Sequence, residues 1–407
     1  MRAILRCGSR LAKDGKKGGY MKFGSRGAIR GAVTTLAVCL IGAGWARGQE
    51  QKPQLAEDAF KNVQVLRGIS VDQFLGTMGF FAASLSLNCT DCHTAESGGS
   101  WARYADDTAL KNTARRMVVM VNAINKADFG GERKITCYTC HRGSQRPEVT
   151  PSLAEQYGTP PPEDPDKVEI LNLNGSNQPT ADQILDKYLQ ALGGAAQVAK
   201  LTSLVGKGTY TGFDTDFAKV PIDYYAKPGL RTTVVHTLAG DNTTVYDGQQ
   251  AWVAAVDKPV PLMPLTGGDL EGARVDAGLA FPAQIKQAFK NWRSGFPAIT
   301  VNDKPVLVIE GTTPGGSAIK LYFDKETGLL VRQVRYNNTI IGLTPSHVEY
   351  SDYRAVNGVK VPFHWTTTWV DGQSTTDLSS VQANVPIDAA KFTKPAPAVP
   401  KATSASR

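Results

Sequence analysis

One short pattern of cysteine and histidine occurs twice in the chain, and it constrains the fold more than any other feature. The two copies are CTDCH at residues 89–93 and CYTCH at residues 137–141. Two thiols at this spacing lie on about one helical turn, so they reach both vinyl groups of one haem, and the adjacent histidine comes under the iron. The sequence therefore predicts two covalently bound haem c groups. The predicted attachment residues are Cys89, Cys92, Cys137 and Cys140, and the predicted proximal ligands are His93 and His141.

Paired cysteines have three other common uses: a structural disulfide, a thioredoxin-like redox pair and a zinc site. A redox pair is expected in a βαβ context, which the sequence around residues 89–141 does not show. None of the three uses explains why a histidine follows both pairs in a chain with only five histidines. We therefore favour haem attachment.

The distal ligands can be approached by elimination, because a low-spin cytochrome takes methionine or histidine as its sixth ligand. Between Gln49 and Arg142 the methionines are Met78, Met117 and Met120, and the only histidines are the two proximal ones. For any one methionine on an apolar helix face, core packing is the alternative role. The sequence makes all three residues candidates for the iron.

Each haem motif follows a segment with helical periodicity that contains methionine. Ser70 and Gln73 form a capping-box pattern at the start of SVDQFLGTMGFFAASLSLN, which carries Met78. The second predicted helix runs from about residue 107 to 125. Its two methionines are three residues apart and so share a face.

These stretches resemble the cytochrome c subunit family of photosynthetic reaction centres. The matching stretches are SVDQFLGTMG, LNCTDCH, TARRMVVMVNAIN and CYTCHRG followed by Pro147, within residues 58–150. The resemblance implies that Met78 ligates the haem of His93 and that Met117 ligates the haem of His141, with Met120 as the runner-up. Family members in reaction centres carry four haems, whereas this chain has two motifs and looks like one diheme half.

Iron bound by histidine and methionine has no open position for a substrate, so we expect electron transfer rather than catalysis. The expected partners are redox proteins, in a photosynthetic or a respiratory complex. Two other functions stay open. One is a haem enzyme of the peroxidase or reductase type, with one open iron. The other is a lipid- or ligand-binding protein that uses haem as a sensor.

The net charge of +8 does not indicate a nucleic-acid partner, because the basic excess lies at the N-terminus. Residues 1–48 hold ten basic residues and one acid, and the remainder is close to neutral. The basic stretch, the apolar run at residues 31–45 and the small residues after it predict a cleaved signal peptide, with Met21 as an alternative start. A membrane anchor and a lipoprotein at Cys39 are the alternatives. The expected location is the periplasm, with or without membrane association.

The remaining sequence predicts a multidomain protein in which an α+β domain follows a small, mostly α, diheme domain at residues 49–150. Residues 151–179 are proline-rich and predict a linker, with an ordered strap as the alternative. Residues 180–394 begin with a capping box at Thr180 and Gln183 and continue with period-two strands. We predict a large antiparallel sheet or half-barrel there, one helix near residues 283–292, and a disordered tail at 395–407.

The second half loosely resembles the outer-membrane lipoprotein carrier superfamily. The matching pieces are YDG at residues 246–248 with Trp252, the FDKETGLLVRQ hairpin and YSDYRAVNGVKVPF. The resemblance implies a curved sheet that cradles acyl chains, so a lipid is a candidate ligand. The three histidines outside the haem motifs, which are His236, His347 and His364, lie in strand patterns and are expected to be surface or packed residues.

Overall fold

The computed structural model describes residues 52–94, 100–159, 166–167 and 178–401. The predicted signal peptide and most of the predicted linker lie outside these residues. Among the described residues, no helix combines the length and apolar character needed to cross a membrane. The described residues from Pro53 onward form one compact unit. We call residues 52–159 the N-terminal segment and residues 178–401 the sheet domain.

The N-terminal segment is helical, with two long helices and several single turns. A short 3-10 turn, Arg103–Ala105, precedes the second long helix. The helices are α1 (Ala56–Ala59), α2 (Val71–Leu85), α3 (Cys89–Cys92), α4 (Ala109–Asp128), α5 (Cys137–His141) and α6 (Leu153–Tyr157).

The sheet domain starts with two helices and continues with strands, which a helical excursion interrupts once. Its helices are α7 (Ala181–Ala191), α8 (Ala195–Val198), α9 (Gly267–Leu279) and α10 (Ile285–Ala288). Its strands are β1 (Leu204–Gly212), β2 (Val220–Lys227), β3 (Leu230–His236), β4 (Asp241–Tyr246), β5 (Ala251–Ala254), β6 (Met263–Leu265), β7 (Lys290–Arg293), β8 (Ile299–Val301), β9 (Lys304–Thr312), β10 (Ala318–Asp324), β11 (Leu330–Thr339), β12 (Gly342–Val356), β13 (Val359–Trp369) and β14 (Gly372–Ala383).

All the strands among the described residues belong to one antiparallel sheet, in which neighbours in space are mostly neighbours in sequence. The order is β6-β5-β4-β3-β2-β1-β14-β13-β12-β11-β10-β9-β7, with β8 paired to β9. The long-range pairing joins β1 to β14, with Leu204 opposite Ala383 and Gly212 opposite Ser374. Hairpin turns need backbone that glycine and asparagine tolerate, and Asn357 and Gly358 both have positive φ at the β12–β13 turn. The predicted helical segment followed by a large antiparallel sheet is confirmed.

Helix α7 covers one face of this sheet. The predicted capping box is confirmed, because the Thr180 hydroxyl accepts from the Gln183 backbone and the Gln183 side chain accepts from the Thr180 backbone. Apolar residues then recur at helical spacing and are buried against the strands. The buried residues of this helix are Ile184, Leu185, Tyr188 and Leu189.

Helix α2 packs against the sheet domain near β6, β11 and β12. Ser70 occupies its N-cap, but the predicted capping box does not form, because the Ser70 hydroxyl lies 2.8 Å from Oγ1 of Thr266. The Asp72 carboxylate accepts hydrogen bonds from the backbone N–H and the hydroxyl of Thr266, the N-cap residue of α9. The ring of Phe80 lies against Gly342 at the β11–β12 turn, where a Cβ would come within 2.4 Å of it. Tertiary partners thus replace the local cap.

Helix α9 was absent from the sequence prediction, and the helix predicted at residues 283–292 is shorter than expected. A 3-10 turn and α10 occupy residues 282–288, and β7 follows.

Part of the predicted linker is ordered, since the Asp166 carboxylate pairs with Arg332 and His347 on the sheet. The predicted disordered tail is hydrogen-bonded as far as Lys401, whose backbone N–H donates to Ala239.

Candidate haem-attachment site

Local hydrogen bonds define the first Cys-x-x-Cys turn. The Asn88 side chain accepts from the backbone of Asp91 at 3.0 Å, and the Asp91 carboxylate accepts from the backbone of Asn88 at 2.8 Å. This capping box encloses α3 and holds Cys89 and Cys92 on one helical turn. Both thiols are free, with Cys89 exposed and Cys92 half-buried.

The imidazole of His93 is oriented by the chain that follows it. Its Nδ1 lies 2.9 Å from the carbonyl oxygen of Tyr104, and the two rings pack with centroids 4.7 Å apart. With Nδ1–H donated to a carbonyl, Nε2 keeps the lone pair that binds a metal. Among the described residues, that Nε2 has no hydrogen-bond partner. Burial also lowers the pKa of His93, which favours the neutral ring.

Helix α4 supports the first motif from its N-terminus. The Thr108 hydroxyl, which caps α4, donates to the backbone carbonyl of Cys92 at 2.7 Å. The Lys111 ammonium donates to the carbonyls of Tyr104 and Asp106. The Tyr104 carbonyl, which orients His93, therefore also accepts a hydrogen bond from the Lys111 ammonium. Sequence analysis missed this role of Tyr104 and Thr108, because no local pattern shows which loop carbonyl a histidine will find.

The second motif repeats the arrangement on α5. Thr136 and Thr139 form the capping box, and Cys137 is buried while Cys140 is exposed. The Nδ1 of His141 lies 3.0 Å from the carbonyl oxygen of Ser144, and within the part of the chain that the structure describes its Nε2 has no hydrogen-bond partner.

A buried asparagine shapes the approach to the second motif. The Asn125 amide donates to the carbonyl of Ile135 at 2.7 Å and accepts from the backbone of Lys134 and Ile135. These bonds fold residues 129–136 back so that α5 packs against α4. Asn125 lies on the same face of α4 as the buried Val118 and Val121. A polar residue on an apolar helix face is the sequence signal that could have indicated its buried hydrogen bonds.

The three methionines differ in their surroundings. Met78 packs against a buried cluster that contains Phe80, Val118 and Cys137. Met117 and Met120 are 38% and 45% exposed. Both helices that carry methionine, α2 and α4, contact α5, and the backbone N–H of Gly143 donates to Ser84 on α2. The structure does not test which methionine serves which iron, so that pairing stays a prediction.

The donor set fits two haem groups. Each motif holds two free thiols on one turn and a histidine whose tautomer leaves Nε2 available, and thioether side chains lie on the neighbouring helices. Several large apolar side chains of the N-terminal segment are accessible, and apolar side chains suit the faces of a porphyrin. They include Trp101, Met117, Val119, Met120 and Tyr138. This is the arrangement of ligands in c-type cytochromes.

The histidines of the sheet domain have other partners. His236 lies near Asp223 and Asp241, and His347 pairs with Asp166. His364 lies 2.6 Å from Asp377 on the adjacent strand. Among the described residues, no group of three or more histidine, cysteine or acidic side chains could hold a metal ion. Each of these three histidines therefore has an aspartate carboxylate as a neighbour.

Residues 30–181 match the family model of the photosynthetic reaction centre cytochrome C subunit. A relative of that description from Thermochromatium tepidum is 40% identical over 98 residues, which are 23% of each chain. One from Rubrivivax gelatinosus is 31% identical over 154 residues, 37% of this chain and 34% of the relative. The resemblance seen in the sequence is confirmed for this segment. The matched stretch spans between about a quarter and a third of the length of these relatives.

Solved structures similar to this chain cover about half of it. A LolA superfamily protein from Nitrosomonas europaea covers 53% of this chain and 99% of its own, at 15% identity and a TM-score of 0.36. A putative outer membrane lipoprotein-sorting protein domain from Vibrio parahaemolyticus covers 52% and 97%, at 10% identity and a TM-score of 0.35.

Proposed function

We propose that this protein is an exported electron-transfer protein that carries two covalent haem c groups in its N-terminal segment. The observation that carries the proposal is the repeated unit of a capped Cys-x-x-Cys turn and a histidine with Nδ1 bonded to a carbonyl. The relatives named as cytochrome c subunits of reaction centres support it.

The chain's own residues perform the holding and orienting. Cys89 and Cys92 would form the thioethers of one group, and Cys137 and Cys140 those of the other. His93 and His141 would bind iron through the lone pair of Nε2. The carbonyls of Tyr104 and Ser144 fix the planes of these two rings. When bound, haem supplies one-electron redox chemistry, and methionine ligation raises its potential.

Haem counting tests the proposal directly. Protein matured in a host that attaches haem should contain two covalent haems per chain by pyridine haemochrome analysis. Cys89→Ala/Cys92→Ala and Cys137→Ala/Cys140→Ala should each reduce the count to one, because each pair serves its own group. A count below two in the parent protein contradicts the proposal.

The methionine ligands need a separate test with a matched control. Met78→Ala and Met117→Ala should each remove part of the charge-transfer band that marks a methionine sulfur on ferric haem iron. Met120→Ala, three residues along the same helix, should leave the band unchanged. If Met120→Ala removes the band and Met117→Ala does not, the assignment on α4 is reversed.

Carbon monoxide distinguishes electron transfer from an open-iron enzyme. Two six-coordinate irons should bind carbon monoxide slowly or not at all in the reduced protein, because methionine occupies the sixth position. Fast, stoichiometric binding at either iron would support a peroxidase or reductase function instead.

We further propose that the N-terminal segment faces redox partners in the periplasm, in a photosynthetic or a respiratory complex. The accessible apolar side chains of the N-terminal segment support this proposal. Cell fractionation of the full-length chain tests the location. Recovery in the cytoplasm without covalent haem would contradict it, since attachment follows export.

A further inference from the structure

A cavity lined by both charged and apolar side chains lies in the sheet domain, far along the chain from the haem motifs. It has a volume of about 320 Å³ and lies beneath α9, between β3–β4 on one side and β11–β12 on the other. One water molecule occupies about 30 Å³ of liquid, and ligand pockets begin near 300 Å³. The cavity therefore has room for a small organic molecule.

Two glycines of α9 bring the helix backbone close to polar side chains of β11. A Cβ on Gly272 would lie 3.0 Å from Nη1 of Arg335, and a Cβ on Gly268 would lie 2.2 Å from the Asn337 amide oxygen. Gly268 and Gly272 are four residues apart, so they lie on the same face of the helix. Larger residues there would displace the groups that line the cavity.

Two guanidinium groups, of Arg231 and Arg335, and two carboxyl groups, of Asp269 and Asp276, line the cavity. Arg231 and Arg335 share a single carboxylate, because Nη1 of Arg231 lies 2.8 Å from Oδ2 of Asp276 and Nη1 of Arg335 lies 2.8 Å from Oδ1. Although burial alone would raise it, the two guanidinium groups hold the pKa of Asp276 below its ordinary value. The Nε of Arg231 is buried and has no hydrogen-bond partner among the described residues. A buried donor left unpaired is costly, and this one belongs to a side chain that lines the cavity.

The second carboxyl group of the cavity is Asp269. Its Oδ1 accepts from the amide of Asn337 at 2.9 Å. Burial and the neighbouring Asp72 raise its pKa to about 7, while Arg335 opposes the shift. Below that pH the lining carries two cations and one anion.

We propose that this cavity is a binding site for a small organic monocarboxylate that carries a hydroxyl or keto group. A carboxylate matches the forked donors of Arg231 and Arg335, which are the two cations among the residues that line the cavity. The hydroxyls of Thr233, Thr244 and Ser346 line the same cavity and can pair with a second polar group of the ligand. Leu265 and Ala273 provide an apolar wall.

Titration calorimetry on the full-length, haem-loaded protein tests this site. The probes are lactate, pyruvate, acetate and inorganic phosphate at pH 6.5. We expect lactate or pyruvate to bind with a Kd of about 1 mM or below, and acetate and phosphate to bind at least about tenfold more weakly. Binding of phosphate alone, or of no probe, would overturn the proposal.

Matched variants locate the binding. Gly272→Ala should weaken binding at least about tenfold, because the new methyl group displaces Arg335. Gly278→Ala on the same helix, with nothing within 4 Å of its Cβ, should leave binding unchanged. Equal effects of the two variants would place binding elsewhere and overturn the proposal.

A charge variant provides a second, independent route. Arg335→Gln should weaken the binding of lactate or pyruvate at least about tenfold, since it removes one cation of the pair. Arg293→Gln is the control, because Arg293 pairs with Glu310 outside the cavity. Unchanged binding by Arg335→Gln, in protein whose thermal unfolding is still cooperative, would also overturn the proposal.

Discussion

The two halves of this molecule are organised in opposite ways. The largest buried cluster lies wholly within the sheet domain, where α7 and the strands bury each other's apolar faces. The buried cluster of the N-terminal segment is small, and one of its members, Ile341, comes from the β11–β12 turn of the sheet domain. The sheet domain is thus stabilised by its own core, whereas the N-terminal segment depends on neighbours.

This difference explains why short helices suffice for the haem motifs. Helices of one turn are marginal alone, and most helix stability in proteins comes from tertiary packing. The capping boxes of α3 and α5 fix local geometry, and covalent attachment would add the apolar contacts that so short a helix cannot make by itself.

Absence of haem should produce the largest difference between the two halves, and this difference should be seen in hydrogen-exchange protection. Protein made without haem attachment should lose hydrogen-exchange protection in α4 and α5, while the strands of the sheet domain keep theirs. Hydrogen–deuterium exchange with mass spectrometry of both forms measures this. Equal protection of α4 in the two forms would show that the N-terminal segment is stable without its cofactor.

Truncation of the sheet core should have the next largest effect. Leu185 is fully buried on α7, so Leu185→Ala should lower the free energy of unfolding by about 3–5 kcal/mol. Leu238→Ala is the control, because Leu238 is 97% exposed. Denaturant unfolding followed by circular dichroism measures both. A similar effect of the two variants would contradict a self-sufficient core.

Ile341 tests the link between the halves. Ile341→Ala should cost about 2–4 kcal/mol and should reduce exchange protection in α2 more than in α7, because it removes a buried contact with the N-terminal segment. Exchange measured by peptide gives the distribution. If protection falls in α7 and not in α2, the turn serves the sheet alone.

Asp269 on α9 should make the free energy of unfolding depend on pH. Its pKa rises on folding to about 7, so its contribution to stability is fully present below about pH 4 and is lost as the pH rises through 7. Asp269→Asn should therefore be more stable than the parent by about 1–3 kcal/mol at pH 8 and should show a smaller loss between pH 5 and 8. Denaturant unfolding at each pH checks this. A parallel pH dependence of parent and variant would exclude Asp269 as the source.

Much of the local structure could be predicted from the sequence, but α9 could not. Its sequence, GGDLEGARVDAGL, contains four glycines, which weaken a helix in isolation. It forms because Asp72 caps its start from α2 and because the glycines allow close packing on Arg335 and Asn337. The Ser70 capping box failed for the same reason, since Thr266 took the place of the local partner.

The sequence by itself determined the two Cys-x-x-Cys-His turns of the N-terminal segment and the strand pattern of the sheet. Spacing places two thiols and a histidine on one turn, and period-two alternation gives each strand one buried face, so both follow from contacts close in sequence. The tertiary structure alone decided which carbonyls orient His93 and His141, and that Ile341 completes the cluster of the other half. It also brought Arg231 and Arg335 onto one carboxylate. Those contacts join residues far apart in the chain, and a local pattern contains no information about which distant groups will meet.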